Sequence, residues 1–214
     1  GFDLQQLGGA MFVTWYTYLD DGTPTWYQAA AAMADPWVGT LNRYTWDPAA
    51  GGVRGEVVGE LHLDFTDAGH ASLQWRLGAR SGTEPLQALI AEPAIAAPDR
   101  TGTWYDPAEP GWGLTVYGAG DSRVAILYFY DGEHQPRWVL GQGSNAANEL
   151  VPVRSYRGFC PDCAYVAPQA VDGGTLEWRF AGARNATVST DAYDASQPAA
   201  RWRRGPVAVV PLSD

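Results

Sequence analysis

The chain has 214 residues, enough for one large all-β domain or two small ones of about 100 residues each. Apolar residues make up 46% and aromatics 13%, which excludes global disorder. All 14 basic residues are Arg and the net charge is −10, which argues against a nucleic-acid partner, and the absence of Lys excludes Schiff-base chemistry and a Walker-type phosphate loop.

The sequence opens at Gly1 with no signal peptide in view, so a processed or trimmed product, or an intracellular fragment, is expected. No apolar run of 18 residues occurs, so no membrane-spanning helix is expected. Ala10 to Tyr18 alternates as a strand, with Met11, Val13 and Trp15 on one face and Phe12, Thr14, Tyr16 and Tyr18 on the other. Both faces are apolar or aromatic, the pattern of a central strand covered on both sides. Asp20-Asp21-Gly22 is a hairpin turn, and the return strand starts at Pro24 and carries Trp26.

This hairpin occurs twice. A shift of 112 positions brings Tyr16, Tyr18, Pro24 and Trp26 onto Tyr128, Tyr130, Pro136 and Trp138, and Gly22 onto His134. Ala29 to Ala32 is read as a strand end or loop, because it aligns with Gly141-Gln142-Gly143-Ser144. Val38 to Trp46 and Leu150 to Tyr156 are further strands. Gly59 to Trp75 matches Gly174 to Thr190 at a shift of 115, which places Leu61, Phe65 and Ala71 on Leu176, Phe180 and Ala186. The three extra residues of the second copy fall where Cys160-Pro161-Asp162-Cys163 sits.

The expected organisation is therefore a first β repeat over 1–90, a Pro/Ala-rich linker over 91–100, a second repeat over 101–204 and a C-terminal extension over 205–214. The fold class is all-β, two tandem homologous antiparallel units of about seven strands each, as small barrels or sandwiches. Thr101 to Trp112 has no counterpart ahead of Gly1, so the first repeat lacks its opening strand.

The parts Gly102, Trp104, Tyr105, Pro107, Gly111 and Gly113, then Trp15, Tyr16, Tyr18, Gly22, Pro24 and Trp26, resemble repeats common in secreted proteins of high-GC proteobacteria. That resemblance implies export and a β-fold but no reaction. Thr101 to Tyr105 is also similar to the first strand of avidin-type barrels, without the later biotin-contacting pattern.

Cys160 and Cys163, the only cysteines, are expected to form a small-loop disulfide in a secreted or periplasmic setting. No cofactor and no metal site is expected, since a zinc site needs more ligands than this pair offers and His62, His70 and His134 lie in other segments. No hydrolase elbow or metalloprotease motif appears. Glu60, Asp64, Asp67, Asp20 and Asp21 fit solvated strand and turn positions, although a flanking pair could hydrolyse a glycoside.

The aromatics carry the functional expectation: a non-catalytic binding module whose aromatic-rich face takes a carbohydrate or surface polymer. Trp37 and Trp112 are expected as exposed loop aromatics, with Tyr16, Tyr18, Trp26, Tyr128, Tyr130 and Trp138 as further contacts. The same six also fit core packing and hairpin bracing. The alternatives are a subunit of an extracellular fibre or coat assembled by strand addition at an open sheet edge, with Gly205 to Leu212 as a candidate donor strand, and a hydrolase without a recognisable motif.

Overall fold

The computed structural model describes residues 1–89, 99–119, 121–194 and 197–212. The linker expected over 91–100 lies almost wholly outside them. Every described element is a strand, and the two repeats build two antiparallel units.

The first unit is a meander of β1 (Phe2–Leu7), β2 (Ala10–Tyr18), β3 (Pro24–Ala32), β4 (Trp37–Asp47), β5 (Gly52–Asp67), β6 (His70–Leu77) and β7 (Arg80–Gln87). Each strand pairs with the next, in a seven-stranded sheet that curls without closing. Its inner face is set by period-two alternation: Val13, Trp15, Tyr27, Leu41, Leu61, Leu63, Leu73 and Trp75 form one buried cluster. Ala29 to Ala32 belongs to β3 rather than to a loop, because the register that pairs Tyr16 with Trp26 continues to Ala10 and Ala32.

The second unit contains β8 (Gly102–Tyr105), β9 (Gly113–Ala119), β10 (Ser122–Tyr130), β11 (Pro136–Ser144), β12 (Asn148–Arg157), β13 (Gln169–Phe180), β14 (Ala186–Asp194) and β15 (Gln197–Pro211). It is a closed barrel in the order β10-β11-β12-β13-β14-β15-β8-β9. The strands β9 to β15 correspond to β1 to β7, so among the described residues β8 is the one element without a counterpart in the first unit. It closes the barrel by pairing with β9 on one side and with Val210 and Pro211 of β15 on the other. Residues 205–211 are thus the end of a barrel strand, not an extension, and the segment considered as a donor strand is already paired within its own unit.

The hairpin turns repeat in backbone detail. Gly22 has φ +79° and His134, its counterpart, has φ +65°. The left-handed conformation costs a glycine nothing and is rare for histidine. In the second copy Asp131 stabilises it, its Oδ1 accepting from the N–H groups of Glu133 and Gln135 at 2.8 and 3.0 Å.

Candidate functional site

The outer faces of the two hairpins meet. Tyr16, Trp26, Tyr128, Tyr130 and Trp138 form a third buried cluster, with Tyr18, Tyr44, Trp46 and Tyr156 packed around it. The contacts obey an approximate two-fold symmetry between the repeats. Tyr16 meets Trp138 at 5.9 Å between ring centroids, and Tyr128 meets Trp26 at 5.4 Å. Tyr18 meets Trp138 at 5.8 Å, and Tyr130 meets Trp26 at 5.6 Å. Each Trp also stacks on a tyrosine of its own unit, Trp26 on Tyr44 and Trp138 on Tyr156. The backbone follows suit: Trp46 N–H donates to His134 O at 3.2 Å, and Gly158 N–H donates to Gly22 O at 3.4 Å.

The symmetry breaks at two places. Trp138 Nε1 donates to Thr17 O at 3.2 Å, whereas Trp26 Nε1 is buried with no hydrogen-bond partner among the described residues. At the β1 and β9 positions, Asp3 and Gln5 face Thr115 and Tyr117, their own counterparts in the repeat. Asp3 accepts from Tyr117 Oη, from Thr115 Oγ1 at 3.2 Å and from Gln5 Nε2 at 2.9 Å. Burial nevertheless outweighs these donors and holds the Asp3 carboxyl above the usual carboxylate range.

These positions correct the expected exposure of the aromatics. Trp37 is 0% exposed, because it is the first residue of β4 and its partner across the sheet is the inward Leu63. Trp112 is 5% exposed and packs edge-on against Trp202 in the barrel core at 5.1 Å. Tyr16, Trp26, Tyr128, Tyr130 and Trp138 are buried and Tyr18 is half-buried, all at the contact between the units. The eight residues therefore do not form an accessible face. Read from the sequence, the clue is that both faces of β2 and β10 are apolar: one chain carrying two copies of the same outer face has the means to cover each with the other.

The disulfide between Cys160 and Cys163 is present, so neither sulfur is a free thiolate for a metal. Its loop grips the first unit through Arg80, which bonds Asp20 at 2.6 and 2.8 Å and lies 3.3 Å from Asp162. His62 pairs with Glu60 and His70 with Asp67 on the surface, each a short-range strand or turn contact. A shallow cleft of about 430 Å³ is lined by Arg43, Thr45, Arg54, Gly55 and Glu56 and brings together no pair of carboxylates.

Compared with models of protein families, with curated proteins and with solved structures, the chain matches none of them.

The feature that geometry singles out is the seam between β1 and β7. Among the described residues, β1 pairs only with β2 and β7 only with β6. The Gly1 amino group donates to Tyr16 O, and Tyr16 N–H donates to Gly1 O, both at 2.9 Å. Hydrogen-bonded and non-hydrogen-bonded pairs alternate along an antiparallel ladder, so Asp3, Gln5 and Leu7 turn their backbone groups to β2. Phe2, Leu4 and Gln6 turn theirs into the seam. Leu4 faces inward with Val13, yet is 39% exposed, while its counterpart Val116 is 1% exposed. Phe65 is inward with Leu63 but 38% exposed, while Phe180 is 6% exposed. In the barrel Phe180 is covered by Trp104 of β8, ring to ring at 5.1 Å.

Proposed function

We propose that the chain is a non-catalytic interaction module that makes its contact by β-strand addition at the open seam of the first unit. The observation that carries this reading is that, among the described residues, the two repeats share seven strands and only the second, with β8, closes. An open edge leaves unpaired N–H and C=O groups in a row, which is the template that strand-adding partners use. Apolar surface accompanies that template, since Leu4 on β1 and Phe65 on β5 are both partly exposed. The disulfide fits an extracellular or periplasmic setting, where fibre and coat assembly takes place. A carbohydrate or surface polymer bound on the eight named aromatics is the weaker reading, because seven of them are buried, Tyr18 is half-buried, and they are divided among three clusters.

The test is amide hydrogen exchange on the intact chain with a panel of extended peptides of alternating apolar and polar residues. Slower exchange at Leu4 and Gln6 on adding peptide is the expected result. If no peptide slows these amides and the chain also stays monomeric at every concentration, strand addition is not its function.

A further inference from the structure

The disulfide loop carries chemistry that strand addition does not use. Cys160 and Cys163 are separated by Pro161 and Asp162, and their sulfurs differ in access, because Cys160 is 2% exposed whereas Cys163 lies at the surface. An incoming thiolate therefore reaches Cys163 first. Attack at one sulfur of a disulfide expels the other, so Cys160 is the leaving group, and the rate depends on how well its departing thiolate is stabilised. Arg80, on β7 of the first unit, stands at that sulfur. Its Nη1 is 3.8 Å from Cys160 Sγ, and Asp20 holds the same guanidinium at 2.6 and 2.8 Å. A cation beside a cysteine favours the thiolate. Asp162 Oδ1 lies 3.2 Å from the same sulfur and 3.3 Å from Arg80 Nη1. A disulfide sulfur has no proton to donate to that carboxylate, but a thiol has. Each state of a reduced Cys160 thus finds a partner, the thiolate in Arg80 and the thiol in Asp162. Cys163 N–H donates to Cys160 O at 2.9 Å, a backbone bond that keeps the two residues together for re-oxidation.

We propose that Cys160 and Cys163 form a thiol–disulfide exchange site, assembled from both units, whose substrate is an accessible dithiol. One thiol of the substrate loses its proton to water and attacks Cys163 Sγ. The bond between the two cysteines breaks, its electron pair goes to Cys160 Sγ beside Arg80, and that sulfur then takes a proton from water. The second thiolate of the substrate attacks its partner sulfur in the mixed disulfide and expels Cys163, which is protonated in turn. The substrate ends as a disulfide, and the protein ends as two thiols, having gained two electrons. Two monothiols taken one after the other give the same balance.

The experiment equilibrates the full chain in glutathione buffers of stepped reduced-to-oxidised ratio, traps the thiols by alkylation and counts them by mass spectrometry. Reversible interconversion within that series is expected. A pair that stays oxidised in every buffer is a structural crosslink and overturns the proposal. The rate of reduction by glutathione then tests Arg80. Arg80→Gln should slow it about tenfold through the lost stabilisation of the leaving thiolate, and Arg80→Lys, which keeps the charge, should recover most of the rate. An Arg80 that only braces the loop gives the opposite sign, since releasing the loop opens Cys160 to attack. A faster or unchanged rate in Arg80→Gln therefore overturns its role at the sulfur. The order of attack is read from single-cysteine variants whose fold is checked by circular dichroism. Cys163 in Cys160→Ser should take up oxidised glutathione at least about tenfold faster than Cys160 in Cys163→Ser, as access to the sulfur requires. Equal rates overturn the assignment of Cys163 as the attacked sulfur.

Discussion

Among the described residues, the two units of this protein share the order of seven strands, and the second carries one four-residue strand more. In the second unit β8 joins β9 to β15, and the inward side chains beneath it are sealed. In the first unit the same positions are lined but not covered, although the rest of the core is well packed. Part of that packing is compensation: Trp15 and Trp75 stand where the barrel has Leu127 and Thr190. Large aromatics therefore fill the inside of a sheet whose two edge strands pair, among the described residues, on one side only. Closing a barrel and filling its core are separable tasks.

The sharpest way to test that difference uses one residue type at one repeat position. Phe180→Ala should cost about 3–5 kcal/mol of unfolding free energy, the range for a buried aromatic truncated in a packed core. Phe65→Ala should cost about 1 kcal/mol or less, because its ring already meets solvent. Urea denaturation of the two variants reads the contrast directly. Equal losses would mean that the seam is sealed in solution and that the two units do not differ as described.

The next effect concerns the loop that ties the units together. Replacing Cys160 and Cys163 by Ser removes a crosslink of very short span, for which loop-closure entropy predicts roughly 2 kcal/mol. The loss should fall on the first unit too, since the loop carries Asp162 to Arg80 and Gly158 to Gly22. Hydrogen exchange should rise in the Asp20 to Gly22 turn. A rise confined to residues 158–168 would show that the loop braces only its own barrel.

A third comparison uses the broken symmetry of the interface. Trp138→Phe removes a hydrogen bond to Thr17 O that Trp26→Phe does not have to lose. Trp138→Phe should therefore be the more destabilising by about 1 kcal/mol, the net worth of a typical buried bond. The reverse order in thermal or chemical unfolding would mean that Trp26 Nε1 is satisfied in solution.

Much of this was legible in the chain itself. Tyr16, Tyr18, Pro24 and Trp26 recur at a fixed offset, and period-two alternation with Asp-Gly turns fixes strand and hairpin, so the all-β duplicated fold follows from local signals. The strand β8 was equally visible, as a segment before Gly113 that residues 1–89 do not repeat. What failed was exposure. Trp37 follows a proline and Trp112 sits between glycines, both local marks of a loop, yet each side chain's burial is decided by its partners across the structure, Leu63 and Trp202. The partner of the aromatic hairpin face was likewise non-local. Only the assembled structure places Trp26 over Tyr128 and Trp138 over Tyr16.

The smallest effect expected is a pH dependence with two opposing parts. Asp3, at the contact between the units, has its carboxyl raised by burial. A group raised in the folded state binds its proton more tightly there than when unfolded. Its contribution is complete below the ordinary carboxylate range and is lost as pH rises through the raised value. Asp191 has the opposite sign: hydrogen bonds from Arg201 above all, with Arg203 adding to them, hold it down to about 2. Its contribution is present above the ordinary range and fades as pH falls toward that value. Asp3→Asn, which leaves a neutral acceptor for Tyr117 and Thr115, should remove only the first part. Unfolding free energies measured across the carboxylate range should then converge for wild type and variant at the acid end, and separate in the variant's favour as pH rises. Convergence at the neutral end instead would mean that Asp3 is stabilised as a carboxylate, and that its three donors outweigh its burial between the two units.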